Sequence, residues 1–244
     1  CALPLTDAAM ASLAALLLAA LLPRGRACTY FELNTTLPGG EVVIGRTMEY
    51  GRLAHLTDWK VRVHPRGAVT DYSNSTGSSA HAGVAKYGFL ALGFNGLVVE
   101  ADGMNEAGLS IAANLLHRSE YQKWDFGSPP KDKKRVFTGF FIPWVLANFA
   151  TVTEVREAIL NGTYVVANWP MPSDLSVHWA VADAEGRSIV VEFERGEPKV
   201  YDNVVGVVTN DPFFPWHVEN LNTYSWVSPR GDQNDVVAPI GVQT

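Results

Sequence analysis

The run Ser12–Leu22, SLAALLLAALL, divides this chain before anything else can be read from it. It is apolar but short, since a bilayer-spanning helix takes about 20 such residues. Pro23 follows, and then Gly25-Arg26-Ala27 sets small residues at the third and first places before Cys28. That is the pattern of a secretory leader removed by cleavage. Residues 1–27 are therefore expected to be cut away, and residues 28–244 to fold as one domain outside the cell or in the secretory lumen (the periplasm in a bacterium). The basic residues that open most leaders are missing, and an uncleaved signal anchor competes with this reading. A lipoprotein leader fits less well, because it wants an aliphatic residue where Gly25 stands.

The cut decides the chemistry. A chain that begins at Cys28 carries a thiol and a free α-amine on one residue, a nucleophile with its own base. That amine has an ordinary pKa of about 7.7–8.0, so it can take up a proton near neutrality. Cys1 and Cys28 are the two cysteines of the chain, and losing the leader leaves one. A single cysteine in an exported domain closes no internal disulfide and points to a reactive thiol or to pairing between molecules; an inert buried cysteine is the plainer alternative. A thiol nucleophile further needs a cation that favours thiolate and donors for the oxyanion of the tetrahedral intermediate.

Other classes find little support. The leader carries Asp7, Arg24 and Arg26, which leaves residues 28–244 at a formal −7. That charge offers no footprint for nucleic acid or anionic lipid, and no stable membrane insertion is expected. Neither a Cys/His cluster with metal spacing nor a phosphate-binding glycine loop occurs, so no metal or cofactor is expected. Sequons at Asn34, Asn74 and Asn161 would carry surface glycans in a eukaryotic secretory protein.

Hydrophobic patterning gives strands, two helices, strands and a last helix. Thr29–Leu33 and Val42–Met48 read as a hairpin around Leu37-Pro38-Gly39-Gly40, and Trp59–His64 as an alternating strand. Asp71–Ala82 reads as a surface loop, and Gly88–Val99 as two strands broken at Asn95-Gly96. Asp102–Leu109 reads as a tight turn, with Gly103 and Asn105 as turn formers, before a strand to Leu115. His117–Lys134 is a long loop whose Tyr121, Trp124 and Phe126 line a pocket or cover the surface. Phe140–Phe149 and Thr153–Asn161 have helical spacing, with Thr151 or Thr153 as cap and Asn161-Gly162 as stop; Trp144 and Phe149 are core. Strands follow at Val177–Asp183, Ser188–Glu194, Lys199–Tyr201 and Val204–Thr209, then a helix from Pro215 to Tyr224. This order fits two sheets with helices stacked outside them. His178 and His217 read as packing or surface residues.

The chain resembles the choloylglycine hydrolases (bile salt hydrolases) and penicillin V acylases, within the N-terminal nucleophile hydrolases. The resemblance rests on C-T-Y-F from Cys28, G-R-T-M-E-Y from Gly45, A-D-G-M-N-E-A-G-L from Ala101, W-V-L-A-N-F from Trp144, and V-V-T-N-D-P-F-F-P-W-H-V-E-N-L-N-T-Y from Val207. It implies an α+β fold, the four-layer αββα sandwich. It implies an amidase that cleaves a linear, non-peptide C–N bond of a small-molecule N-acyl amine or amino acid through a thioester. It makes Cys28 the nucleophile, Arg46 the cation that favours thiolate, Asn114 the oxyanion asparagine and Asn210 the holder of the substrate carbonyl. Ordinary surface or turn roles are the plainer readings of Arg46, Asn114 and Asn210. Glu49 stands where the family has an aspartate and is expected to orient the terminal amine. Family members also supply a further arginine beyond this C-terminus, so the domain is expected to be C-terminally incomplete and the 28–244 piece poorly stable. Relatives include tetramers, which leaves a homo-oligomer open. A non-catalytic secreted or membrane-anchored binding protein on a decayed hydrolase scaffold is the alternative from another class.

Overall fold

The computed structural model describes residues 28–34, 42–48, 59–72, 82–94, 99–126, 128, 130–168, 176–224 and 240–242. The leader, Glu49, the Asn95-Gly96 turn and Asn74 lie outside these. Strands β1 (Thr29–Asn34) and β2 (Val42–Thr47) form the expected antiparallel hairpin. Next come β3 (Trp59–His64), β4 (Val69–Asp71), β5 (Ala82–Val84), β6 (Phe89–Phe94), β7 (Glu100–Asn105), β8 (Ser110–Leu115) and β9 (Lys134–Phe137). Helices α1 (Phe141–Asn148) and α2 (Val152–Leu160) follow, then β10 (Tyr164–Ala167), β11 (Val177–Ala182), β12 (Ser188–Glu194), β13 (Glu197–Asp202), β14 (Val207–Val208) and α3 (Phe214–Asn222).

Seven antiparallel strands make the main sheet, in the order β13-β12-β11-β8-β7-β6-β3. A second sheet has the order β14-β1-β2. Two-stranded pairs β9-β10 and β4-β5 complete the set. Because successive side chains point to opposite faces, the main sheet buries two layers. One face carries Ile111, Trp179, Val181, Ile189, Val191 and Phe193 against α1 and α2. The other carries Ala112, Ala180 and Val190 against Tyr30, Val208, Phe214 and Val218, from the second sheet and α3.

Helix α1 reads FIPWVLAN and is buried from Phe141 through Ala147, so it shows little polar face. Pro143 is tolerated because it sits in the first turn. Phe141 packs on Trp179 with 4.2 Å between ring centroids and the rings tilted by 38°. Gly103 admits this helix, since a Cβ there would meet Leu90 O at 2.5 Å and Leu146 Cδ1 at 2.7 Å. Helix α2 is closed by a capping box in which Thr151 accepts from the Glu154 N–H and Glu154 reaches back to the Thr151 N–H. It stops at Asn161, with Gly162 at φ 74°.

Some expectations need correction. Asp102–Leu109 is not wholly a turn: Glu100–Asn105 is strand β7, and the reversal falls at Glu106-Ala107-Gly108. Asn105 does form that turn, accepting from the N–H groups of Ala107 and Leu109, while its amide ties down Leu146 O and Phe149 O. The strand expected over Val204–Thr209 shortens to Val207–Val208. Lys134–Phe137 and Tyr164–Ala167 pair in parallel, although neither was expected as a strand. At the β3–β6–β7 end, Val63 (74% exposed), Val61 (66%) and Leu90 (51%) show that, among the described residues, the second sheet covers only part of the main one.

Candidate active site

Four of the five residues singled out from the sequence come together where β1, β2, β8 and β14 meet. Cys28 precedes β1 and is 1% exposed. Its carbonyl accepts the Thr209 hydroxyl at 3.0 Å. Thr209 follows β14, whose Val208 pairs with Tyr30. The cysteine and the 209–210 segment are thus fixed to each other through one residue.

Arg46 lies on β2 opposite Tyr30, so its side chain turns inward with the tyrosine. On the outer side the Phe31 ring lies over the neighbouring Gly45, in the place a Cβ would take. The guanidinium reaches across to the main sheet. It donates to Ala101 O at 3.0 Å, to Asp102 Oδ2 at 2.8 Å and to Ala113 O, and it lies 3.5 Å from Asn114 Oδ1. A rigid fork of donors suits such a set of separate acceptors.

Asn114, on β8, is 2% exposed, and its amide donates to Val208 O at 2.9 Å. The side-chain oxygen of Asn210 accepts the Leu115 N–H at 3.0 Å, so the two asparagines stitch β8 to the β14–α3 connection from opposite sides. Next along, the Asp211 carboxylate takes the His117 N–H at 3.0 Å and faces His117 Nδ1 at 2.6 Å. Burial pushes the Asp211 carboxyl up, but the His117 contacts outweigh it and hold the group below its usual range.

Asp102 was missed by sequence reasoning, as were Thr209, His178 and Glu192. The carboxylate on Arg46 is that of Asp102, which lies on strand β7 and not in a turn. Thr209 adjoins Asn210 but carries no motif signal of its own. His178 is packed as expected, yet it is polar in function: Nδ1 faces Glu192 Oε1 at 2.7 Å and Nε2 faces Thr209 O at 2.7 Å. His217 Nε2 holds Asn210 O at 3.0 Å. A cavity of about 330 Å³ opens beside Arg46, between the sheets, and is lined by Tyr30, Ile44, Leu92, Asp102, Met104 and Ala112. Cys28 does not line it.

Among the described residues there is no group of three or more His, Cys, Asp or Glu side chains that could hold a metal ion. No helix among them is long and apolar enough to cross a membrane. What the corner offers is a cysteine anchored by its own carbonyl, an arginine in the same hydrogen-bonded network and two side-chain amides. Those are the parts of an acyl-transfer site.

The family model for linear amide C–N hydrolases, choloylglycine hydrolase family, matches residues 28–240. The bile salt hydrolase/transferase of Clostridium perfringens is 41% identical over 145 residues, which cover 57% of this chain and 42% of that one. A conjugated bile acid hydrolase of Lactobacillus gasseri is 30% identical over 224 residues, covering 87% and 66%. Among solved structures, a mutant conjugated bile acid hydrolase from Clostridium perfringens superposes with a TM-score of 0.66 at 33% identity, covering 82% of this chain and 58% of that one. Penicillin V acylase from Agrobacterium tumefaciens gives 0.65 at 27%, covering 81% and 56%. The chain thus spans about half the length of the relatives it matches.

Proposed function

The chain belongs to the choloylglycine hydrolase family of linear amide C–N hydrolases, and from that premise we propose that it is a secreted cysteine amidase acting on small N-acyl amines or amino acids. Its fold class is the αββα sandwich of the N-terminal nucleophile hydrolases, shared with the bile acid hydrolase and penicillin V acylase structures.

In the proposed reaction, removal of residues 1–27 frees the α-amine of Cys28. That amine takes the thiol proton as sulfur attacks the amide carbonyl carbon. The oxyanion is held by N–H donors from the Asn114 and Asn210 corner. The tetrahedral intermediate collapses, the C–N bond breaks, and the leaving amine takes the proton back. Water then attacks the thioester, again with the terminal amine as base, and the C–S bond breaks to release the acid. Arg46, charge-paired to Asp102, supplies a fixed cation to this corner. Glu49 is proposed to orient the terminal amine.

The observation that carries this reading is the hydrogen-bonded chain from Cys28 through Thr209 and Val208 to Asn114 and Arg46. The names of the relatives make conjugated bile acids the first substrates to try, with penicillin V and fatty acyl amides next. The competing reading, a binding protein on a decayed scaffold, draws on the burial of Cys28. Intact mass and N-terminal sequencing, iodoacetamide labelling and a hydrolysis panel against a Cys28→Ser control separate the two. A start at Cys28, fast labelling and turnover abolished by Cys28→Ser are expected. A retained leader or an inert thiol with no turnover overturns the proposal.

A further inference from the structure

One fully buried pair of ionisable side chains is left unused by the chemistry above. His178 on β11 and Glu192 on β12 are both 0% exposed. They lie on the face of the main sheet that carries Asn114, opposite His178 in the β8–β11 register. Their neighbours on that face, Ala180 and Val190, belong to an apolar cluster.

Hydrogen-bond logic fixes what the pair can do. Thr209 O is a carbonyl and can only accept, so His178 Nε2 carries a hydrogen and donates to it at 2.7 Å. One further proton sits between Nδ1 and Glu192 Oε1, 2.7 Å apart. Both ring nitrogens are therefore committed, and His178 has no lone pair to offer a substrate. The same carboxylate accepts the Phe214 N–H with both oxygens, at 2.9 and 3.2 Å. Phe214 opens α3, a helix with no side-chain cap of its own. A carboxylate there satisfies an orphan donor and meets the positive end of the helix.

The pair thus grips both ends of one segment, Thr209 at the start and Phe214 at the finish. Asn210 and Asp211 lie between, and the Thr209 hydroxyl holds Cys28 O at 3.0 Å. We propose that His178 and Glu192 are a positioning pair that sets the 209–214 segment against Cys28, and with it the aim of Asn210 at the reacting carbonyl. This rests on the reading of Cys28 and Asn210 given above. Two apolar residues would fill the same space at similar or lower free energy, because burying an ion pair is costly. What they would not supply is the pair of bonds to Thr209 O and to the Phe214 N–H.

The test uses the full chain and whichever of glycocholate, penicillin V or a long-chain N-acyl amide it cleaves. His178→Leu and Glu192→Leu are expected to lower kcat by about 30-fold or more with KM within about 3-fold, since a misplacement near 1 Å costs on the order of 10²-fold. The Glu192→Gln variant keeps an acceptor for the Phe214 N–H and a donor for Nδ1, and is expected to recover most of the kcat lost in Glu192→Leu. Unchanged kcat in the leucine variants, a loss confined to KM, or no recovery in Glu192→Gln overturns the proposal. Should the leucine variants not fold, His178→Gln decides the matter. It keeps a donor for Thr209 O but breaks the link to Glu192, and an unchanged kcat refutes the pair's role. If the parent cleaves nothing, the amidase reading fails and the grip is read from amide hydrogen exchange. Glu192→Leu should then speed exchange across residues 209–214 by about 10-fold while α1 and α2 stay protected. No local change, or a uniform change, overturns the proposal on that arm.

Discussion

The ion pair between Arg46 and Asp102 is the sharpest place to test how this corner is built. The two side chains are 9% and 26% exposed, with N···O at 2.8 Å. An exposed pair of this kind contributes about 0.2–1 kcal/mol, whereas breaking a fully buried one costs about 3–5 kcal/mol. This pair lies between those limits. Arg46→Met keeps an apolar stem in place but strands the carbonyls of Ala101 and Ala113 together with the carboxylate, and should cost about 3 kcal/mol. Asp102→Asn keeps the shape and an acceptor and loses only the charge assistance, about 1 kcal/mol. Once Arg46 is gone, Asp102→Asn should be neutral or slightly favourable, because it removes a stranded charge. The double-mutant cycle should therefore show a coupling of about 1–2 kcal/mol. Urea unfolding followed by the fluorescence of buried Trp144 and Trp179 reads the midpoints at a common m-value. A coupling below about 0.5 kcal/mol would mean that the backbone carbonyls alone hold the arginine. Asp102 would then not be the group that fixes the guanidinium.

Asn210→Ala should lower kcat by about 10²–10³-fold if its amide serves the oxyanion, with near-UV circular dichroism retained; a fall under 5-fold on the order of a lost neutral contact would count against that role. Burial pushes the Glu32 carboxyl above its ordinary 4.5, against hydrogen bonds from Ser188 and Tyr30 that pull it down. Between 4.5 and the raised folded value the unfolded chain is ionised while the folded one keeps its proton, so stability falls as pH rises through that window. Glu32→Gln should therefore gain urea stability over the parent at pH 8 and little at pH 4, and a loss at pH 8 refutes the sign. Thr151→Ala removes one half of the α2 capping box and should cost about 1 kcal/mol, seen as a melting point lower by about 2–4 °C.

The candidate site residues could be singled out because each sits in a short signature. Cys28 follows the leader pattern, Arg46 lies in the G-R-T-M-E-Y motif, and Asn114 and Asn210 stand near the ends of strands. The helices were legible for the same reason: Thr151 and Gly162 are local signals, and they act where they stand. The partners of those residues were not legible. Strands β11 and β12 are buried almost throughout, since helices cover one face and the second sheet the other. A strand covered on both faces reads as a nearly continuous apolar run and loses its period of two. His178 and Glu192 therefore gave no sign of which way they point. Only the register that sets Asn114 beside His178, and β11 beside β12, lines all three up on one face. Asp102 was hidden by a different competition, because Asp-Gly favours a turn locally. Pairing with Leu92 on one side and Ala112 on the other holds it in a strand instead, and that extended backbone is what brings its carboxylate within reach of Arg46.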